Sequence, residues 1–513
     1  MKNIKYLFFA LIGTIFISCD ADEFLNPLPD TVNAADGFYQ NDEQILAGVL
    51  GMYDALQGVN ENTETNSSNF NRGVQFEYLL TEHRSDNTRS ATLEGSRADF
   101  HRYVTEAINI QSEDYYQSMY EIIFRANTIL ASLNAANAAN VGKYSAEAKF
   151  LRALAYFNLI RLYGSDDDSI GGVPLVTSLV TAADETELFT RKPKATVYEQ
   201  IVKDLEDAIA NLDNSAKSRA SKAAAQGILA KVYLSQPSPD FDGAKDLCEA
   251  IVAEGSYNLQ ADFRDVFYDE MNSEIIFAVR YTSGDPNESQ GFSSEFTSFK
   301  RQGRQDGLNI VNPNLVTAFN ENGGNRTAVS YIAFGDDAEQ ESAPGVPAPL
   351  SAEVAKFLPE GTDVTTDPDA PKYGTFPRLA GNDWPVLRYA DVLLMHVEAI
   401  LRGSGAVSTS DAAALASFNA IRNRAGLDND TDGSITIEEL LLERRVELAF
   451  ENQRFFDLLR FGVADDVLSN HSAEDNNLDV SVYPSYNARA LLLPIPSREI
   501  NLSKGLLKQN PGY

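Results

Sequence analysis

Apolar residues in this chain recur mostly at intervals of three and four, the period of a helix with one buried face. In Glu147 to Tyr163, Phe150, Leu151, Leu154, Phe157 and Ile160 share one broad face. Thr196 to Leu212 repeats the pattern with Tyr198, Ile201, Leu205, Ala208, Ile209 and Leu212. Ser218 to Leu234 and Asp242 to Ala253 form a further pair, parted at Gln236-Pro237-Ser238-Pro239-Asp240, where two prolines stop one helix before the next begins. Small residues from Ala223 to Ala230 suit close helix packing. The spacing predicts helix hairpins of the tetratricopeptide kind, units of about 34 residues. More helices are expected at 42–57, 114–134, 388–402, 411–425 and 437–460.

Two stretches lack this period. Residues 58–105 and 255–386 are rich in Gly, Asn, Ser, Thr, Asp and Pro, with scattered aromatics and only short strand candidates such as Glu274 to Arg280. Connections this long in a compact protein are functional or disordered, and the aromatics favour order. The fold class is therefore mainly α. A tetratricopeptide-like helical-hairpin scaffold over 40–57, 114–254 and 387–462 forms a partial solenoid, with long irregular loops and few short strands.

The start of the chain has a different grammar. Met1, Lys2 and Lys5 precede an apolar run from Tyr6 to Ile17, which ends at Ser18-Cys19 and the acidic Asp20-Ala21-Asp22-Glu23. A basic segment, an apolar run too short to span a bilayer comfortably and a small residue before cysteine describe a lipoprotein export signal over residues 1–18. Cys19 then becomes the lipidated first residue of a single domain, 19–513, tethered by several acyl chains rather than spanning. Phe16 is the one departure from the usual pattern before such a cysteine. No comparable apolar run follows.

Charge narrows the partners. The 513 residues carry a formal net charge of −32, and loss of Lys2 and Lys5 with the signal leaves 40 basic against 74 acidic residues. Such a surface repels phosphate backbones, which excludes nucleic acid as the natural partner. It disfavours strongly anionic ligands too, unless a local basic pocket overrides the global field. With Cys19 lipidated, Cys248 has no partner and sits in a helical pattern as a small buried hydrophobe, so there is no disulfide framework.

Several segments carry a family resemblance. EAKFLRALAYFNLIRLYG (147–164), GGVPLV (171–176), VLRYADVLLMHVEA (386–399), FNAIRNRAG (418–426), LLLERRVELAFENQRFFDLLRFG (440–462) and the ending LLLPIPSREI…LLKQNPGY (491–513) resemble the SusD/RagB family, in that family's order. The resemblance implies a surface-exposed outer-membrane lipoprotein whose helical scaffold packs against ligand-binding loops. It implies a SusC-type TonB-dependent transporter as partner, to which captured glycan, or in some members peptide, is delivered. The acidic residues after Cys19 resemble the signal that sends such lipoproteins to the outer face.

Within this reading the charged residues of these helices are scaffold. Arg152, Arg161, Arg388, Arg444, Arg445 and Arg454, with Glu147, Glu398, Glu443, Glu447 and Glu451, are spaced for ion pairs. No enzyme is expected. The four histidines are scattered, no nucleophile, phosphate-loop or paired-cysteine motif occurs, and a glycosidase read from two carboxylates has no discriminating value among 74 acids. Glycan recognition needs aromatic faces and planar polar groups. By loop position the candidates are Arg84, Asp86, Asn87, Arg89 and Tyr103, then Phe292, Phe296, Phe299 and Arg301. No cofactor is required, although Asp428, Asp430, Asp432, Ser434 and Glu439 fit the calcium-loop pattern D-x-[DN]-x-[DN]-G-x5-E. Thr436 and Glu439 equally form a capping box, which leaves both readings of that loop open.

Overall fold

The computed structural model describes residues 39–58, 71–92, 94–179, 185–215, 218–296, 308–332, 352–359, 378–429, 432–477 and 486–513. Among them are helices α1 (Asp42–Asp54), α2 (Gly73–Thr81), α3 (Ile110–Ser132), α4 (Ala138–Tyr163), α5 (Lys194–Asn211), α6 (Lys222–Ser235) and α7 (Phe241–Glu254). They continue with α8 (Pro313–Asn322), α9 (Tyr389–Gly403), α10 (Ala412–Arg424), α11 (Ile437–Glu447) and α12 (Arg454–Arg460). Side chains set several starts: Asn109 accepts from the Ser112 N–H, Ser221 from that of Ala224 and Asp240 from that of Gly243. Gly255, at φ 74°, ends α7 in the left-handed conformation glycine adopts most cheaply.

The helices stack in series, α3 on α4, α4 on α5, α5 on α6, α6 on α7 and α7 on α9, which is the expected solenoid-like scaffold. Their shared faces bury Phe150, Leu151, Phe157, Ile160, Ile201, Leu205, Ile228 and Ile251. Cys248 lies wholly inside this core.

Short strands tie the loop portion to the scaffold. β1 (Thr88–Ser90), β3 (Asn309–Val311), β4 (Tyr331–Ile332) and β5 (Ala352–Val354) form an antiparallel sheet in the order β1-β3-β5-β4. β2 (Ile275–Val279) pairs antiparallel with β6 (Trp384–Arg388), and β7 (Ser408–Thr409) with β8 (Ile435–Thr436). The 58–105 stretch is less irregular than expected, since α2 lies within it with seven of its side chains and Gly73 buried.

The continuous helix expected at 437–460 is two helices. Phe450 (φ 69°) and Asn452 (φ 60°) take left-handed conformations and turn the chain between α11 and α12. The turn serves a buried ionic network. Arg388 reaches Glu274 (2.7 Å), Glu447 (2.6 Å) and Glu451 (2.6 Å), Arg326 binds Glu443 and Glu447, and the Lys356 ammonium donates to Glu451 at 2.8 Å and to the carbonyls of Glu447 and Ala449. Arg444 holds Asp391 and Asp457, Arg152 holds Asp204, and Arg445 and Arg454 both hold Asp86. The charged residues foreseen as scaffold therefore pair, with Arg161 as an exception taken up below.

Near the chain end, Asn510 is locked against α4. Its amide donates to the carbonyls of Tyr163 (2.9 Å) and Leu493 (2.6 Å) and accepts from Arg191.

Candidate ligand-binding surface

The two loop stretches, 58–105 and 255–386, lie far apart in the chain and meet. Register pairs Thr88 with Val311 and Ser90 with Asn309, and the Ala91 N–H donates to Leu308 O at 2.9 Å. The Asn71 amide donates to the carbonyls of Asn287 and Ser289, both at 2.7 Å. Above this seam lies a polar group: Gln75 Nε2 donates to Glu295 at 2.7 Å, and Arg97 Nη2 contacts the two carboxylate oxygens of Glu295 at 2.9 and 2.8 Å. Burial lowers the pKa of nearby Arg72, although Glu295 works to raise it. Arg97 Nη1, itself buried, has no hydrogen-bond acceptor among the described residues. Arg89 stands in the middle of β1, partly exposed between buried Thr88 and Ser90.

Most of the residues expected to touch ligand lie deeper than that expectation requires. Arg84 is 1 % exposed, donates to the carbonyls of Leu80 and Ala490 and stacks on Phe455 with its Cζ 4.2 Å from the ring centre. Asp86 is committed to Arg445 and Arg454, whose charges overcome the effect of burial and hold its carboxyl well below the usual range. Asn87 accepts from Arg445 at 2.8 Å. Tyr103, at φ 57°, packs edge-on against Tyr486. Phe292 and Phe296 belong to an aromatic core beneath the seam. Their ring centres lie 4.6 Å apart and 5.3 and 5.4 Å from that of Tyr78, while Trp384, 5.8 Å from Phe292, stacks on Phe357 at 4.1 Å. These six were expected at the surface and are instead buried, each enclosed by the packing that joins the loops to the scaffold. Arg89 keeps access to the surface. Cys19, Phe299 and Arg301 lie outside the described residues, as does Asp430.

Sequence reasoning missed Gln75, Arg97 and Glu295. Their signal was weak because a charge in a polar loop carries no period, and only the strand pairing brings residues 97 and 295 together.

At the other candidate loop, Glu439 Oε2 accepts from both the backbone and the hydroxyl of Thr436, at 2.8 and 2.7 Å, completing the capping box of α11. Asp432 Oδ1 accepts from the Ser434 N–H and hydroxyl. Among the described residues no three His, Cys, Asp or Glu side chains are grouped for a metal ion.

A row of helix hairpins carries two knitted loop regions on one scaffold. Comparison with known proteins gives that scaffold its family. A model described as "Starch-binding associating with outer membrane" matches residues 23–234, and the SusD family model matches 365–513. The chain belongs to the SusD/RagB family. It is 26 % identical to SusD-like protein P2 of Formosa agariphila over 550 aligned positions, with all of both chains covered. Among solved structures it resembles a laminarin-binding SusD-like protein (26 % identity, TM-score 0.70, 93 % of this chain and 100 % of the other). A SusD homologue of Bacteroides thetaiotaomicron shares the fold (22 % identity, TM-score 0.74, 93 % and 98 % covered). The family is one of glycan-binding proteins.

Proposed function

We propose that this protein is a non-catalytic, lipid-anchored capture protein of the outer membrane, facing outward. It binds oligo- or polysaccharide and delivers it to a SusC-type TonB-dependent transporter. Cys19 carries the anchor. The ligand lies across the seam joining residues 71–92 and 94–97 to 283–296 and 308–311, where Arg89, Arg97 and Glu295 offer planar charged groups to sugar hydroxyls. The likeness over 93 % of the chain to a laminarin-binding relative carries the reading and makes a neutral β-glucan the first ligand to try. A polymer of neutral sugar also suits a surface of charge −32, which would repel a polyanion.

Affinity electrophoresis of residues 20–513 through gels containing laminarin, other neutral glucans or acidic polysaccharides tests it. Retardation by laminarin, relieved in Arg97→Gln and Arg89→Gln and unaccompanied by new reducing ends, is the expected result. Unchanged migration in every gel would overturn the capture role. In cells, Cys19→Ala should move the protein from the membrane to the soluble fraction.

A further inference from the structure

Arg161 differs from the other arginines of the scaffold helices. Its guanidinium lies between two phenyl rings, with Cζ 4.0 Å from the centre of Phe157 and 3.7 Å from that of Phe456. Nε donates to the Phe157 carbonyl and Nη2 to Asn158 Oδ1 at 2.6 Å. Among the described residues no carboxylate makes a salt-bridge contact with it, although Glu77 acts on its charge from farther off, whereas Arg152, Arg388, Arg444, Arg445 and Arg454 each have a carboxylate in contact.

Arg161 lines a pocket of about 380 Å³ where the end of α4, the start of α5, the α6–α7 connection, α12 and residues 491–492 converge. Lys194, Arg402 and Arg460 line it as well, and Asp166 is the one carboxylate in its wall. Asp166 is an exposed side chain paired with Lys194, while Arg402 and Arg460 both rest on Glu398. Arg460 also pairs with Asp457, so three of the four cations are already neutralised and Arg161 alone has no ion-pair partner in contact to compete with an incoming anion.

The rest of the wall is apolar: Leu234, Pro237, Pro239, Leu459, Leu491 and Leu492 beside Phe456. Ser235 and Gln236 are its only neutral polar side chains apart from Tyr198. A sugar acid would find too few partners for its hydroxyls here. An apolar side chain next to a carboxylate fits both halves of the wall. A second hollow of about 420 Å³ shares Tyr198, Gln236 and Pro237 in its wall and is bordered by Val202, Tyr233, Lys203, Glu199 and Glu206.

We infer that this groove on the helical scaffold binds the free C-terminal carboxylate of a partner polypeptide whose last side chain is apolar, with Arg161 as the principal carboxylate contact. The site lies on the hairpins, not on the loop seam, so it stands or falls independently of glycan capture.

The probe is acetyl-Gly-Gly-Leu-Phe with a free C-terminus, titrated by calorimetry into residues 20–513, with its C-terminal amide and a glucuronate disaccharide as the other arms. The free acid should bind at least about 10-fold more tightly than the amide, the size of a charge-assisted contact in a sheltered site. Lys194→Gln, at a partly exposed position, should weaken it by about 3-fold, and Arg161→Gln by about 10-fold or more. Lys194→Gln and the acid–amide contrast read the site even where Arg161→Gln fails to fold. Equal binding of acid and amide, no binding of the acid, or preference for glucuronate would each overturn the assignment.

Discussion

Phe292→Ala separates a supporting ring from a sugar platform. Phe292 is 3 % exposed and contacts Tyr78, Phe296 and Trp384, so truncation leaves a cavity no neighbour can fill without breaking its own stacking. Phe→Ala at such a site costs about 3–5 kcal/mol, to which the lost edge-on pairs belong. Taking about 4 kcal/mol and a slope of about 3 kcal/mol/M, the urea midpoint falls by about 1.3 M. The assay is built into the chain: Trp384 is its only tryptophan and touches the same cluster, so its fluorescence reports unfolding at the perturbed place. Below the new midpoint, glycan retardation should persist. A midpoint within about 0.3 M of the parent together with lost retardation would refute the reasoning and return Phe292 to the ligand surface.

Other perturbations test the charged interior. Glu447→Gln strips a carboxylate shared by Arg326, Arg388 and Arg424 and should cost about 3–5 kcal/mol by denaturation, with a loss below about 1 kcal/mol excluding a structural network. Burial raises the Glu82 carboxyl from 4.5 to about 8, so the folded state holds a proton the unfolded state releases, and stability falls as pH rises through that window. His83, lowered by burial from 6.5 to about 3, acts oppositely at acid pH, while Asp383, raised to about 7, adds to the decline and Lys356, lowered to about 8, opposes it near pH 8, so over pH 6.5–8 the share of Glu82 is the difference between parent and variant. There Glu82→Gln should make the slope less negative by about 1 kcal/mol per pH unit relative to the parent, and identical slopes would rule out a protonated Glu82. Because Glu439 is engaged in its capping box, about 1 mM calcium should leave the melting temperature where chelator leaves it. A rise abolished by Glu439→Gln would show instead that the loop takes the cation.

The scaffold was legible because burial of one helix face leaves a period. Thr196 to Leu212 was expected and Lys194–Asn211 is found, while Glu274 to Arg280 anticipated β2. The first turns of α4 were not read, since Ala138 to Ala146 includes Gly142 and few large apolar residues. The break at Phe450 and Asn452 was hidden inside a helical period, because left-handed φ at a non-glycine residue is imposed by surroundings, here the ionic network. The ligand surface was least legible. Phe292 and Phe296 read equally well as platform or core, and Asp86 looked available until Arg445 and Arg454, more than 350 residues away, claimed it. Pairing between distant segments decides which loop residues stay outside.

Asn510 grips the carbonyl of Tyr163, a residue made almost 350 positions earlier. A ribosome or translocon delivers the chain from its N-terminus, so α4 reaches its finished state only after residue 510 has emerged. The join between β1 and β3 imposes a similar wait. Both contacts close long loops, which is slow. A C-terminal fusion or trimmed tail would therefore disturb maturation of a helix at the far side of the sequence, and shortened variants should be checked for folding before any loss of binding is assigned to the ligand surface.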